Sequence, residues 1–251
     1  MTGGPGENWR SPLSYRDLLL SDRRAFAWEW LRRNRTYRSR WMTRRRSGSE
    51  GPERFGLLGW VDPGLSARAA RPIWSIDRDP HVLRARLAPY SVPADDLFDV
   101  RSVASFVSVE VTAHAEHLLL SDGYWAIRLD LHDGTLLGGA LLIEHQLTGL
   151  QSLRPKLAAL GQLAALAARG DLPRSLVPRE RRAAQWILEL RVADALLSRV
   201  SQQEIARGLY GEAVASNRWR FESAAYRLRI QRLVRRARAC LNDPLAGQWF
   251  A

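Results

Sequence analysis

"VSQQEIARGLYGEAVASNRWRFESAAYRLRIQRLVRRARACL", Val200 to Leu241, is the stretch on which the reading of this chain turns. Ser201 followed by Glu204 has the spacing of a capping box, in which each side chain satisfies the other residue's backbone N–H at a helix start. "QQEIARGLYG" then predicts a short helix stopped by Gly211, with Ile205, Ala206 and Leu209 on one apolar side. A looser piece, "EAVASNRWRFE", precedes a long helix over about Ser223 to Leu241, closed by Asn-Asp-Pro. At about 100° per residue, Tyr226, Ile230, Leu233, Val234, Ala237 and Leu241 share roughly one third of its circumference. Arg227, Arg229, Arg232, Arg235, Arg236 and Arg238 occupy the remaining arc, and no carboxylate lies between Ser223 and Asn242. Like charges one turn apart cost a helix about a few tenths of a kcal/mol each. Uncompensated arginines therefore weaken this helix in isolation, and an external polyanion relieves the repulsion.

Working outward, "PRERRAAQWILELRVADALLSRV" upstream predicts another helix, with Ala183, Trp186, Ile187, Leu190, Ala193, Leu196 and Leu197 in the i, i+3, i+4 rhythm. A helix, a short capped helix, a turn and a long basic helix follow the order of a helix-turn-helix DNA reader. Arginine suits that task, because its fork matches phosphate oxygens or the O6/N7 edge of guanine. Gln202, Gln203, Arg218, Trp219 and Arg220 are then flanking contacts, the loop residues resembling a wing. The alternative is a helical bundle whose exposed face happens to be basic.

The whole chain points the same way. Its 251 residues carry a net charge of +12, and Lys156 is the one lysine among the basic residues. Residues 22–46 hold ten arginines against Asp22 and Glu29, a balance of +8. Residues 199–240 hold ten against Glu204, Glu212 and Glu222, a balance of +7, which leaves the remainder at −3. Coding bias would spread arginine evenly; two hot segments predict two phosphate-facing surfaces. Trp28, Trp30 and Trp41 interleave with the first segment. They either stack on bases or, the favoured reading, anchor a small helical module to the middle region through Trp28 and Trp30. A single cysteine, Cys240, excludes an internal disulfide and fits a reducing compartment. With no membrane-length apolar run and no secretory-type N-terminus, a cytoplasmic location is the expectation.

Composition divides the chain into a basic helical module over 1–52, a β-rich middle over 53–147 and a helical part over 148–251, an α+β fold. In the first, "SDRRAFAWEWLRRNRTY" predicts a helix with Ser21 as N-cap and Asn34 at its end, followed by a flexible connection. In the second, "RFGLLGWVDPG" predicts a short strand ended by the turn at 62–64. Leu118–Leu120, Tyr124–Leu131 and Leu136–Ile143, divided by Asp-Gly turns, predict a three-stranded antiparallel meander. Within it Trp125, Ile127, Leu129 and Leu131 alternate with Ala126, Arg128 and Asp130, the pattern of a half-buried strand. In the third, "QSLRPKLAALGQLAALAARGDLP" predicts a helix stopping at Gly170.

Residues 124–250 resemble the C-terminal helix-turn-helix domain of a proteobacterial regulator family long catalogued only as a domain of unknown function. The matching pieces are "LRPKLAALGQLAALAARGDLP", "RRAAQWILELRVADALLSRVSQQEIARGLYG" and "WRFESAAYRLRIQRLVRRA". Residues 9–41 resemble the small N-terminal module often fused to it, and "FGLLGWVDP" with "ARPIW" continues the likeness. Characterised types include excision activators of integrative and conjugative elements and an atypical activator of type VI secretion genes; some members are small antiactivators. The resemblance implies an oligomeric DNA-binding transcriptional activator, with double-stranded DNA as partner and RNA polymerase or an antiactivator as protein partners. The end of the chain, "CLNDPLAGQWF", departs from the Gly-Tyr-containing tail of the family.

Catalytic chemistry finds little support. His114 and His117 near Glu110 and Glu116 lack the spacing of a zinc motif. No phosphate-cradling glycine loop and no nucleophile motif is present. Asp194 is read as a structural partner for an arginine. The expectation is a non-enzymatic regulator without a cofactor. Its rivals are a protein-binding adaptor or antiactivator and a nucleic-acid-processing enzyme.

Overall fold

The computed structural model describes residues 8–46, 50–89, 96–214 and 224–250. Helices α1 (Arg23–Leu31), α2 (Arg35–Thr43) and α3 (Ala67–Ala70) lie in the first third of the chain. Strands β1 (Leu83–Leu87), β2 (Val107–Val111), β3 (Ala115–Ser121), β4 (Ala126–His132) and β5 (Ile143–Gln146) follow. Helices α4 (Leu150–Arg169), α5 (Ala183–Leu197), α6 (Gln202–Tyr210) and α7 (Ala224–Asn242) complete an α+β fold.

Caps set the N-terminal helices. Asp22, rather than Ser21, caps α1 by accepting from the Ala25 N–H at 3.1 Å. Asn34 does not end a helix but starts one, accepting from the Tyr37 N–H at 2.9 Å. The first nine residues of the segment expected to be a flexible connection, 35–53, are therefore helix α2. An asparagine before a polar run serves equally as stop or start, and only the backbone beyond it decides. "RFGLLGWVDPG" forms no strand; Leu57 makes a single bridge to Trp74, and Asp62 turns the chain by accepting from Gly64 N–H at 2.7 Å.

The sheet is mixed, in the order β2-β3-β4-β1-β5. Strands β2, β3 and β4 form the antiparallel meander, one strand earlier than the expected set. After β4 the turn runs through Asp133 and Gly134 at positive φ, as the Asp-Gly pair predicts. The chain then rounds the end of β1, and β5 pairs antiparallel with β1, which itself lies parallel to β4. Strand β1 was not foreseen; "LRARL" carries two arginines and little local strand signal.

Two cores result. Leu83, Leu118, Leu120, Ile127, Leu129 and Leu131 pack one sheet face against Leu163 and Leu166 of α4. Helix α4 stops at Gly170, as expected, in the left-handed conformation with φ 73°. The opposite sheet face was expected to meet solvent, yet Arg128 and Asp130 are buried. Arg128 donates to the carbonyl of Leu118 at 2.6 Å and to Asp130 at 2.9 Å. The second core joins the two ends of the chain: Phe26, Trp28, Trp30 and Leu31 meet Trp186, Leu190, Ile230, Leu233 and Ala237. Trp28 and Trp30 thus act as anchors, to the C-terminal helices as well as to the middle region, where Trp28 Nε1 donates to the Leu65 carbonyl at 3.0 Å. No helix among the described residues is long and apolar enough to cross a membrane.

Candidate nucleic-acid interface

The basic helix α7 owes its orientation to its apolar seam. Ile230, Leu233, Val234, Ala237 and Cys240 are buried, spaced three and four apart, and pack on α5. Leu241 is half-buried, whereas Tyr226, assigned to the seam from spacing, is 37% exposed. It lies near the helix start and meets Tyr210 of α6 at 5.1 Å between ring centroids.

Turning that seam inward turns the arginines outward. Arg229, Arg232, Arg235, Arg236 and Arg238 are exposed and Arg227 is half-buried. Arg236 approaches Glu189 of α5 at 3.8 Å, and Arg229 lies 5.3 Å from the Tyr210 ring centroid. Among the described residues Arg232, Arg235 and Arg238 form no ion pair. From Arg227 to Arg238 the row runs about 16 Å along the axis. That length exceeds the width of a major groove, about 12 Å.

Helix α6 is held beside α7 by its start and by its underside. The capping box is formed: Ser201 Oγ accepts from the Glu204 N–H at 3.3 Å, and the Ser201 N–H donates to Glu204 Oε2 at 3.2 Å. The Ser201 side chain and backbone hold the Glu204 carboxyl below its ordinary pKa. Ile205 and Ala206 are buried, which leaves Gln202, Gln203 and Arg207 exposed. Arg218, Trp219 and Arg220 lie outside the described residues.

The N-terminal segment supports this pair from behind, which local sequence patterns did not reveal. Trp9 packs on α6 at Gly208, where a Cβ would come within 2.6 Å of the ring. Arg191 of α5 pins the turn by donating to the carbonyls of Trp9 and Arg10, both at 2.8 Å. Asp194 accepts from Arg33 Nε at 2.8 Å, from Arg33 Nη2 at 2.7 Å and from the Tyr15 hydroxyl at 2.6 Å. Burial and the neighbouring Asp194 push the Tyr15 phenol well above its ordinary range. Asp194 is thus the arginine partner it was read to be.

The first arginine-rich segment divides in two. Arg23 pairs with Glu180, Arg24 with Asp79 and Asp22, Arg32 with Glu29, and Arg33 with Glu29 and Asp194. These four are internal cross-links rather than part of a phosphate-facing surface. The tail also packs inward: Trp249 is buried against Trp186 at 4.9 Å and donates to the Pro244 carbonyl at 2.8 Å.

A helical unit that presents an arginine row on a rigid support is the build of a DNA-binding transcriptional regulator, and comparison with family models gives that class. Residues 8–57 match the model described as "Proteobacterial transcriptional regulator-like domain". Residues 147–243 match the model described as "T6SS, Transcription factor, DNA binding domain". These are the two parts of the regulator family that the sequence resembles. No curated protein and no solved structure matches the chain.

Proposed function

We propose that α7 is the DNA-reading helix of a helix-turn-helix unit within residues 148–251, lying in the major groove of a specific duplex. Arg229, Arg232, Arg235, Arg236 and Arg238 meet phosphate and base edges, with Arg227 beside them. Gln202 and Gln203 touch the backbone from the first turn of α6, and Arg218, Trp219 and Arg220 add flanking contacts. The regulatory role carried by the resemblance is activation of mobile-element or secretion genes by a homo-oligomer, with RNA polymerase or an antiactivator as protein partner. One observation supports the reading above others: five exposed arginines on one helix share a single carboxylate neighbour, Glu189, among the described residues.

Selection of genomic fragments on the purified chain supplies the duplex, and fluorescence anisotropy across salt concentrations supplies the test. Each phosphate contact contributes about 0.9 to the slope of log K against log salt. Arg232→Ala with Arg235→Ala is expected to flatten that slope by about 2 units. Absence of salt-dependent duplex binding by the wild-type chain refutes the proposal and leaves a protein-binding adaptor.

A further inference from the structure

We propose that α2 is a second phosphate-binding element on the duplex that α7 reads, an inference that rests on the α7 assignment. Helix α2 has no core face of its own. Of its nine residues only Tyr37 is buried, and neither α2 nor the following Arg44, Arg45 and Arg46 contains a carboxylate. A short polar helix with arginines at i and i+3 or i+4 is a poor autonomous helix. It persists because two anchors hold it.

The first anchor is Tyr37. Its hydroxyl donates to the Val61 carbonyl at 2.7 Å, and its ring meets Trp28, Phe55 and Trp60 at centroid distances of 5.7, 5.0 and 5.7 Å. The second is Asn34, which caps α2 with its oxygen and donates from Nδ2 to the Leu241 carbonyl in the last turn of α7, at 2.8 Å. Helix α2 therefore begins where α7 ends.

The distribution of counter-charge separates α2 from the residues before it. Arg23, Arg24, Arg32 and Arg33 take internal carboxylates. Arg35, Arg38, Arg40, Arg45 and Arg46 are exposed. Arg40 shares Glu50 with Arg54, and Arg38 reaches the Arg32 carbonyl at 3.4 Å. A firmly seated cationic helix beside a DNA-reading helix fits the sugar–phosphate backbone flanking the groove, where contacts set register and affinity without reading sequence.

The test uses the full chain, the selected duplex and a random duplex of equal length. Arg35→Ala with Arg38→Ala is expected to flatten the salt slope by about 1–2 units. The ratio of specific to random affinity should stay within twofold, because phosphate contacts carry no sequence information. Hydroxyl-radical footprinting should show protection lost at one edge of the site. A wild-type thermal midpoint in this variant shows that the fold is intact; if the midpoint falls, Arg35→Gln with Arg38→Gln replaces it and is read in the same way. A slope equal to wild type, alongside a flattened slope for Arg232→Ala with Arg235→Ala, overturns this proposal alone. Wild-type slopes for both pairs overturn the α7 reading and this one with it.

Discussion

Replacing Asp194 tests whether the two ends of the chain form one body. The carboxylate is 1% exposed and receives two bonds from Arg33 and one from Tyr15. Asp194→Ala leaves the Arg33 guanidinium buried with Glu29 as its remaining carboxylate and the Tyr15 hydroxyl without an acceptor. Breaking a buried pair by removing one partner costs about 3–5 kcal/mol. Retention of Glu29 places this case near the lower end, about 3 kcal/mol, still a large share of a typical 5–15 kcal/mol stability. Tyr15→Phe keeps the ion pair and should cost about 1 kcal/mol. On the Asp194→Ala background the same change should cost almost nothing, a coupling of about 1 kcal/mol. Urea unfolding followed by tryptophan fluorescence reports directly, since Trp28, Trp30 and Trp186 lie in the shared core. A loss below about 1 kcal/mol for Asp194→Ala would refute the claim that this carboxylate locks the N-terminal helices to α5.

Three further outcomes follow from the packing. Gly208→Ala places a Cβ 2.5 Å from the Trp9 ring, whose backbone Arg191 holds in place. Overpacking of about 1–3 kcal/mol should outweigh the roughly 1 kcal/mol helix-propensity gain, so the thermal midpoint falls; a rise would contradict the contact. Trp249→Ala removes a 1% exposed ring packed edge-to-face against Trp186 and should cost about 3–5 kcal/mol by urea unfolding, whereas a near-neutral result would mean the tail is dispensable. Stability should also fall in acid. Burial alone would raise the Glu29 and Asp79 carboxyls, but Arg33 with Arg32, and Arg24, outweigh it and hold both below their ordinary values. The unfolded chain then takes up protons at higher pH than the native one. This contribution is complete above about pH 5 and disappears as pH falls through the folded-state values. Asp22, raised by burial, acts in the opposite sense to these two. A urea midpoint that holds level from pH 6 to pH 3 would contradict this balance.

Much of the candidate interface was legible because its signals are local. The capping box needs four consecutive residues, and the α7 seam needs only a 3.6-residue period. Both stand where spacing placed them, except Tyr226, which sits near the helix start against Tyr210 of α6 and is 37% exposed. The β3–β4 hairpin was legible for the same reason: alternation and an Asp-Gly turn are neighbours in sequence. Strand β1 and the place of β5 were not, because parallel pairing joins segments some 45 positions apart, as in Leu83 with Leu129.

From its residues alone this chain determines α1 and the helices α4 to α7, its principal hairpin and the apolar side of α7, since each follows from backbone hydrogen bonding and periodicity within a few turns. Only the tertiary structure decided which arginines remain available to a polyanion. Arg33 reaches Asp194 across 161 positions, and Arg24 reaches Asp79 across 55. A buried guanidinium is tolerated only where a distant carboxylate meets it, and no local pattern encodes that meeting. Arg232, Arg235 and Arg238 face solvent without such a carboxylate among the described residues, and that difference turns a basic composition into a basic surface.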